Sequence, residues 1–428
     1  MIEDDTTGPP ESLAIGSYEL LARIGSGGSA TVLLAQAHEE KPRLVVLKLL
    51  PSIVDDEEGT VDMFLDEARI AARLRHPNIV TTHEVGERDG VLFIAMEYLS
   101  GQSLEHVFKS PEAMARLTAA MWCHIFARAL DGLHHAHQEV DTDGAPLGLV
   151  HRDICPRNVF VTYEGGVKVM DFGVAKASVN ESETAAGVIK GSLAYMSPEQ
   201  VAGEPDRRSD VFAMGLCLWE ALAGRPAFQG EPFAILRRIV NDPMPRLADA
   251  RADVDPRLDA IVMKAIDKDE QARYQTAAEL ADALRAYIAT GTEVTDETVA
   301  GALSHAFSAT RAEVDKAISF LVAGAARARD QSAQSRTPKM DGRRLQAELP
   351  TLPTTGGVFA PMHGAIEDES TPALEETKAP ERALTSAPSV QSNTRSATES
   401  PKPLANAKLV VAILLIVSVF AGVWALTR

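Results

Sequence analysis

The most informative segment of the chain, residues 150–173, reads Val-His-Arg-Asp-Ile-Cys-Pro-Arg-Asn-Val-Phe-Val-Thr-Tyr-Glu-Gly-Gly-Val-Lys-Val-Met-Asp-Phe-Gly. Two short apolar runs flank its Glu-Gly-Gly, a pattern that predicts a β-hairpin over residues 159–170. Asp153 and Asn158 precede the hairpin and Asp171 follows it. Any one of the three would be an ordinary turn residue; the case for a site depends on all three at this spacing.

The composition is that of a globular protein. The chain has 428 residues, 45% of them hydrophobic and 24% charged, which allows two or three domains. Its formal net charge of −18 argues against a general nucleic-acid binder. The 3 cysteines are widely spaced and odd in number, so neither a disulfide framework nor a zinc site is predicted.

Two motifs within this segment resemble the catalytic loop and the metal-binding triplet of the protein kinases: His151-Arg152-Asp153 with Asn158, and Asp171-Phe172-Gly173. The resemblance extends over about residues 18–290 and implies an α+β, two-lobed fold. A small β-rich lobe would cover residues 18–98 and a larger helical lobe residues 99–290. In this family Asp153 would accept the proton of the substrate hydroxyl. Asn158 and Asp171 would hold Mg²⁺, with Mn²⁺ as the alternative ion.

A glycine-rich turn follows the first predicted strand, Tyr18–Ile24, and leads into a second strand. Glycines let backbone N–H groups approach phosphates closely, although such a turn is equally well explained as a tight hairpin. In the kinase pattern Gly25 and Gly27 match the first two glycines of the phosphate-binding loop. Ala30 replaces the third glycine, and Gly28 lies close to it.

One lysine, Lys48, follows the apolar run Val45-Val46-Leu47. A charge in such a strand is costly unless it is used; a lysine that reaches solvent from an edge strand is the alternative. The resemblance makes Lys48 the lysine that binds the α- and β-phosphates of ATP and pairs with a helical glutamate. Residues 61–75 have apolar positions at helical spacing, and Glu67 is the predicted partner. A salt-bridged surface glutamate is the alternative for Glu67.

Residues 96–99, Met-Glu-Tyr-Leu, resemble the hinge of a kinase. The backbone of Glu97 and Leu99 would bind the edge of adenine, with Met96 as the gatekeeper. The resemblance therefore implies an ATP site. Its predicted residues are Ile24, Gly25, Gly27, Gly28, Val32, Val46, Lys48, Glu97, Leu99 and Phe160.

The main departure from the family pattern is Cys155. Most serine/threonine kinases carry a lysine at this position, close to the γ-phosphate. Arg157 follows two residues later, where receptor-type tyrosine kinases also carry an arginine, and we expect it to supply the missing cation. The predicted catalytic residues are Asp153, Lys48, Glu67 and Arg157.

The polar residues 174–190 and the sequence Gly-Ser-Leu-Ala-Tyr-Met-Ser-Pro-Glu at 191–199 resemble the kinase activation segment and its substrate-docking loop. A phosphate on this segment could pair with Arg152 and order it. Thr184 is the first autophosphorylation candidate by position and Ser182 the second; Ser178 and Ser192 are further available hydroxyls.

Two residues of the predicted large lobe complete the resemblance. Asp210 begins a mostly apolar helix, and a buried aspartate needs partners. In kinases this residue anchors the backbone of the catalytic loop. Arg273 resembles the arginine that pairs with the glutamate of the Pro-Glu motif, Glu199.

The chain continues beyond the predicted kinase domain. Residues 291–330 are predicted to be a helical extension with Thr295 as N-cap. Its apolar stripes could pack on the kinase domain or on a second copy in a homodimer. Residues 1–17 and 331–407 are predicted to be a disordered tail and a disordered Pro/Ser/Thr-rich linker.

A transmembrane helix is predicted at residues 408–427. Leu409–Leu426 contains no charged residue and would span about 27 Å as a helix, close to the thickness of a bilayer core. A buried core helix is the alternative, but the predicted disordered linker before it makes that less favourable. The expected location is the inner (cell) membrane, single-pass, with the kinase domain in the cytoplasm.

The preferred function is an ATP-dependent serine/threonine kinase acting on protein substrates in membrane-associated signalling. It would be activated by autophosphorylation of the 174–192 loop and would resemble the eukaryotic-like (Hanks-type) kinases of bacteria. A pseudokinase scaffold that signals by conformation remains the alternative, because Ala30, Val46 and Cys155 depart from the pattern. A small-molecule phosphotransferase ranks last, since it would have no use for the docking loop.

Overall fold

The small lobe is built on one antiparallel β-sheet. The computed structural model describes residues 13–26, 31–49, 68, 70, 72–88, 91–172, 192–291, 293–332 and 349–352. The strands of this sheet are β1 (Ala14–Ile15), β2 (Tyr18–Ser26), β3 (Thr31–Ala37), β4 (Arg43–Leu49), β5 (Thr82–Arg88) and β6 (Val91–Glu97). Their order is β1-β2-β3-β4-β6-β5. The strands predicted from Tyr18 onward are therefore confirmed. The prediction of a disordered tail over residues 1–17 is wrong at its end, because β1 pairs with β2 and buries Ile15.

Both faces of this sheet are covered, which explains why β3 is apolar almost throughout. Val32 and Leu34 belong to the apolar cluster on the face of the sheet that carries the predicted ATP site (the nucleotide-side cluster). Leu33 and Ala35 belong to the cluster on the opposite face. This alternation follows from the two-residue period of a β-strand. Strand β4 alternates in the same way, so that Val46 faces the nucleotide side.

The turn between β2 and β3 contains the predicted glycine loop. Gly25 pairs with Val32 at the end of the hairpin, which places both residues where the loop begins and ends. Gly27, Gly28 and Ala30 lie outside the described residues. Within the predicted helix 61–75, the described residues 68, 70, 72 and 73 are helical, whereas residues 74 and 75 are not. Glu67 lies outside the described residues.

The large lobe is helical around an apolar core that includes Trp122, Phe126 and Trp219. Apolar residues recur at helical spacing through residues 113–137, which predicts one long helix, but the structure has two helices there. The break occurs at Leu117, since Thr118 starts the second helix by accepting a hydrogen bond from the N–H of Met121. The helices are α1 (Leu104–Lys109), α2 (Pro111–Arg116), α3 (Ala119–His137), α4 (Pro198–Val201), α5 (Arg207–Ala223), α6 (Pro232–Asn241), α7 (Leu247–Ala250), α8 (Pro256–Ala265) and α9 (Ala277–Ile288).

A three-stranded sheet connects the two lobes: β7 (Gly101–Ser103), β8 (Val159–Thr162) and β9 (Val167–Val169). Strands β8 and β9 form the hairpin predicted from the sequence. The backbone of Val169 also accepts a hydrogen bond from the N–H of Val80 (3.0 Å) and donates one to the carbonyl of Asn78 (2.8 Å). The segment before β5 is thereby attached to the strand that leads to Asp171.

The turn of this hairpin requires glycine at one position. Gly165 has a φ of +86°, and a Cβ atom there would lie 1.9 Å from the carbonyl oxygen of Asp296. Gly144 has a similar φ of +82° with nothing within 4 Å of its would-be Cβ, which makes it a matched control. We expect Gly165→Ala to lower the free energy of unfolding by at least about 2 kcal/mol and Gly144→Ala by about 1 kcal/mol. Urea denaturation measures both, and equal losses would contradict the close contact.

The helical extension packs on its own chain. It consists of α10 (Asp296–Ala306) and α11 (Ser308–Ser332). Thr295 is the N-cap, as predicted, and forms a capping box with Thr298. Apolar residues of α10 join the core of the large lobe, whereas Val314 and Ile318 of α11 join the nucleotide-side cluster of the small lobe.

Residues 349–352 also differ from the sequence prediction. They belong to the predicted disordered linker 331–407, but the structure places them beside β2, where Thr351 pairs with Arg23. The pairing uses backbone groups, which residue composition does not report.

In the described part of the chain, no helix combines the length and the apolar character needed to span a bilayer. The predicted span 408–427 lies outside the described residues.

Candidate active site

The catalytic loop is held by one buried carboxylate, that of Asp210 at the start of α5. Its Oδ2 accepts hydrogen bonds from Nε2 of His137 (2.8 Å) and the backbone N–H of His151 (2.7 Å). Its Oδ1 accepts one from the backbone N–H of Arg152 (2.9 Å). These bonds fix a loop in which Arg152 has a φ of +65°. The predicted anchoring by Asp210 is therefore present in the structure.

His151 connects this loop to the metal-binding triplet. Its ring is fully buried, with Nδ1 accepting from the backbone N–H of Asp153 (3.3 Å) and Nε2 lying 2.8 Å from the carbonyl oxygen of Met170. These partners assign the proton to Nε2, because a carbonyl oxygen can only accept. The ring also lies 4.7 Å from that of Phe172. One histidine therefore sets the spacing between Asp153 and the segment that carries Asp171.

Asn158 lies where it can serve the catalytic carboxylate and a metal at once. Its Nδ2 donates to the backbone carbonyl of Asp153 (2.7 Å) and to Oδ2 of the same residue (3.2 Å). Its Oδ1 is buried and accepts no hydrogen bond among the described residues. A buried carbonyl oxygen in this position lacks compensation unless a cation or a donor binds it. The side chain therefore fits the predicted role of Asn158 as a Mg²⁺ ligand.

Lys48 and Asp171 face each other between the lobes. Lys48 Nζ lies 3.4 Å from Asp171 Oδ1, and both side chains are largely buried. The predicted partner of Lys48, Glu67, lies outside the described residues. Asp171 has a φ of +50°, a strained backbone conformation of the kind found at functional sites. The structure thus brings together the predicted phosphate-binding cation and the predicted metal-binding carboxylate.

The predicted adenine pocket lies next to this pair. Its apolar side chains form one buried cluster with the hinge: Ile24, Val32, Val46, Met96, Leu99 and Phe160. The side chain of Glu97 points away from a role in base recognition, because its Oε1 accepts from Lys168 Nζ (2.6 Å) and from the backbone N–H of Thr81 (2.7 Å). Only the backbone of Glu97 is left for the predicted contact with adenine. Sequence analysis missed Lys168, although a lysine within an apolar strand was the signal that identified Lys48.

Arg157 contacts the docking loop. Its Nη2 donates to Ser192 Oγ at 2.8 Å. Cys155, two residues earlier, is buried, and burial followed by the negative charge of Asp153 raises the pKa of its thiol to about 11. The thiol is therefore neutral at physiological pH. In the catalytic loop, Arg157 is the cation that follows Asp153 along the chain and Arg152 the one that precedes it.

The docking loop is fixed to the large lobe by an ion pair. Arg273 donates to Oε1 of Glu199 at 2.7 Å and to Oε2 at 2.8 Å, and its side chain is fully buried. Ser209 Oγ donates to the same carboxylate at 2.6 Å. Burial alone would raise the pKa of Glu199, but the hydrogen bonds and charge of Arg273 lower it to about 2. The predicted pairing of Arg273 with Glu199 is therefore present.

The sequence matches the protein kinase domain over residues 18–284. The chain belongs to the protein kinase domain family. This assignment accounts for the geometry, because the residues that the structure brings together are those of the kinase pattern. The match ends before α10 and α11, which are therefore additions to the kinase domain.

The kinase domain is also similar to individual bacterial proteins. It is 38% identical over 279 residues to the tyrosine-protein kinase MasK of Myxococcus xanthus, covering 64% of this chain and 43% of the relative. It is 38% identical over 280 residues to the serine/threonine-protein kinase PknB of Mycolicibacterium smegmatis, covering 63% of this chain and 43% of the relative. The crystal structure of the Mycobacterium tuberculosis PknI kinase domain matches with a TM-score of 0.50 and 27% identity, over 66% of this chain and 99% of that domain. The chain thus spans less than half the length of these two curated relatives.

Proposed function

We propose that the chain is an ATP- and Mg²⁺-dependent serine/threonine protein kinase. The observation that carries the proposal is the pair Asp153 and Asn158. One amide nitrogen holds the carboxylate at 3.2 Å, and the oxygen of the same amide remains available within a buried site. Phosphoryl transfer requires a carboxylate beside the attacking hydroxyl and a hard-cation site beside the transferred phosphate. A single asparagine links the two here.

Each residue has a distinct task in this proposal. Mg²⁺-ATP supplies the phosphoryl group and neutralises part of its charge when bound. Asp153 accepts the proton of the substrate hydroxyl and orients it. Asn158 and Asp171 hold the metal, and Lys48 binds the nucleotide phosphates beside Asp171. Arg157 contributes positive charge near the transferred group, because Cys155 carries none.

The docking loop supports a protein as the substrate. Residues 192–195 form a short turn fixed by Arg157 at one end, and the Glu199–Arg273 pair holds the following helix. The loop resembles that of serine/threonine kinases, which favours Ser/Thr over Tyr hydroxyls. Among the relatives, PknB is named a serine/threonine kinase and MasK a tyrosine kinase. The acceptor residue therefore needs a direct experiment.

Incubation of the full chain with Mg²⁺-ATP, followed by phosphosite mapping by mass spectrometry, tests the proposal. A matched sample with the metal chelated is the control. Phosphoserine or phosphothreonine that appears only with metal would support it, and phosphotyrosine alone would overturn the acceptor assignment. Phosphate on Thr184 or Ser182 would support autophosphorylation of the activation segment; Ser178, Ser182 and Thr184 lie outside the described residues.

Arg157→Ala is expected to lower kcat by about 10- to 100-fold while nucleotide affinity changes less than about twofold. The reason is that its positive charge acts on the transferred group rather than on adenine. Arg157→Lys keeps the charge and is expected to recover most of the rate. Ser192→Ala removes the 2.8 Å contact with Arg157 and keeps the charge of the arginine. Because Ser192 is also a candidate phosphosite, the comparison uses protein in which mass spectrometry finds Ser192 unphosphorylated. If Ser192→Ala lowers kcat as much as Arg157→Ala does, the arginine acts by holding the loop and the proposed charge role is wrong.

A non-catalytic scaffold is the second candidate, and Cys155 is the observation that favours it. The buried, neutral thiol replaces a charged side chain at the centre of the site. Detectable nucleotide binding without phosphate incorporation into the chain or into a generic protein substrate would support this function instead.

We further propose that residues 408–427 anchor the kinase in the inner membrane, with the kinase domain in the cytoplasm. The support is the uncharged sequence Leu409–Leu426. Recovery of the full chain in a carbonate-washed membrane fraction is the expected result. Recovery in the supernatant would contradict the anchor and the membrane-associated signalling that depends on it.

A further inference from the structure

Helix α11 lies against the predicted adenine pocket. Val314 and Ile318, one turn apart on the helix, are buried in the same apolar cluster as the pocket residues. The members of that cluster with a predicted or neighbouring role in base binding are Ile24, Val32, Val46, Met96, Leu99, Phe160 and Met170. A helix from outside the family match therefore belongs to the same apolar cluster as the side chains that a nucleotide base would contact.

The pocket side chains are covered in this arrangement. Ile24, Val46 and Phe160 are each no more than 2% exposed, and Met96 and Leu99 are each 4% exposed. Protein atoms thus cover the side chains that adenine would contact.

Polar contacts attach α11 to both lobes. Near its start, Arg311 lies 5.0 Å from the ring of Tyr163 and 3.4 Å from Glu164 in the large lobe. Near its end, Arg329 Nη1 lies 2.9 Å from His38 Nδ1, and its Nε lies 3.7 Å from Glu19, both in the small lobe. Because α11 is attached to both lobes, it limits the rotation between the lobes that nucleotide exchange requires.

Residues 349–352 add a second contact on the same side. The N–H of Arg23 donates to the carbonyl of Pro350 (2.9 Å), and the N–H of Leu352 donates to the carbonyl of Arg23 (3.0 Å). Leu352 is buried in the nucleotide-side cluster. The segment thus extends the sheet at β2, directly before the glycine loop, as an added strand does.

We propose that α11 together with residues 349–352 is an autoinhibitory strap that closes the nucleotide pocket until it undocks. The inference rests on the proposed nucleotide site. If the open state is populated to a fraction f, the apparent Kd for nucleotide is the intrinsic Kd divided by f. Weakening the strap therefore tightens nucleotide binding. By linkage, nucleotide binding must in turn weaken the docking of the strap.

Fluorescent ADP titrated into the full chain tests this inference. We expect Ile318→Asp to bind the nucleotide at least about tenfold more tightly than wild type, because a carboxylate in the apolar cluster favours the undocked helix. Phe320→Asp is the matched control, since Phe320 lies on the same helix and is 72% exposed; its Kd is expected to change less than about twofold. Unchanged or weaker binding by Ile318→Asp would overturn the strap, and weaker binding would mean that α11 builds the pocket.

Two further measurements protect the test from a folding defect. Arg329→Ala removes the contacts of the end of α11 with His38 and with the buried carboxylate of Glu19, which keeps His38 at 3.3 Å, and we expect it to tighten ADP binding about two- to fivefold. In wild-type protein, saturating ADP is expected to speed hydrogen exchange along α11, whereas slower exchange would contradict undocking. ADP binding needs no catalysis. If Ile318→Asp and Arg329→Ala bind ADP more tightly but no phosphoryl transfer is detected, the strap is supported and the proposed kinase activity is wrong. Equal ADP binding by wild type and all three variants would overturn the strap and leave the proposed kinase activity untouched.

Discussion

Replacement of Asp153 by asparagine is expected to lower the rate of phosphoryl transfer by about a thousandfold while nucleotide affinity changes less than about twofold. An amide has nearly the shape of a carboxylate but cannot accept the proton of the attacking hydroxyl. General-base catalysis contributes about 10²- to 10⁴-fold. The hydrogen bond from Asn158 Nδ2 to the backbone carbonyl of residue 153 (2.7 Å) survives the substitution, so the loop keeps its shape.

Steady-state kinetics with a protein substrate and ADP titration together measure this effect. Asp249→Asn makes the same chemical change at an exposed position in α7 and is expected to leave both values unaltered. A loss of ADP affinity in Asp153→Asn comparable to the loss of rate would point to a disturbed loop. A rate within about tenfold of wild type would remove Asp153 from the role of catalytic base.

Replacement of Arg273 by methionine is expected to lower the free energy of unfolding by about 3–5 kcal/mol. The substitution leaves the carboxylate of Glu199 buried without its cation, and breaking one side of a buried ion pair has a cost of this size. It also removes the stacking of the guanidinium at 4.7 Å from the ring of Phe212. Urea denaturation measures the loss, with Arg237→Met on the exposed face of α6 as control.

The pH dependence of this loss has a definite sign. Glu199 has a pKa of about 2 in the folded protein against an ordinary value of 4.5. Its pairing therefore stabilises the fold fully above pH 4.5, by about 3 kcal/mol, and this contribution disappears as the pH falls towards 2. The difference in stability between wild type and Arg273→Met should shrink over the same range. A difference that stays constant down to pH 3 would show that Glu199 is not the group responsible.

The sequence predicted those parts of the site whose chemistry demands particular residue types in short loops. Asp153, Asn158 and Asp171 were found because proton transfer and metal binding leave few alternatives at that spacing. Asp210 and the pair of Arg273 with Glu199 followed, since buried charges require partners. The strands of the small lobe were predictable because they are short apolar runs rich in β-branched residues and bounded by turn residues.

The features of the fold that the sequence did not predict depend mainly on which parts of the chain pack against each other. The apolar stripe of Val314 and Ile318 indicates that one face of a helix is covered, but not that it covers an adenine pocket. Residues 349–352 attach through backbone hydrogen bonds, for which the composition of a Pro/Ser/Thr-rich segment gives no signal. The break between α2 and α3 was missed because the apolar period continues through Thr118, although its hydroxyl caps the new helix.

The backbone pairing of residues 78–80 with β9 has a mechanical consequence. Lys168 reinforces it, since its Nζ lies 3.3 Å from the carbonyl of Ile79 and 2.6 Å from Glu97. These contacts fix the back of the cleft, and we expect the small lobe to rotate about this line as a hinge axis. Displacement then grows with distance from the line, so that β2, which lies far from β5 in the order of the sheet, moves furthest while Asp171 stays nearly still. The metal-binding end of the site can therefore keep its geometry while the mouth of the cleft opens wide enough to exchange its contents.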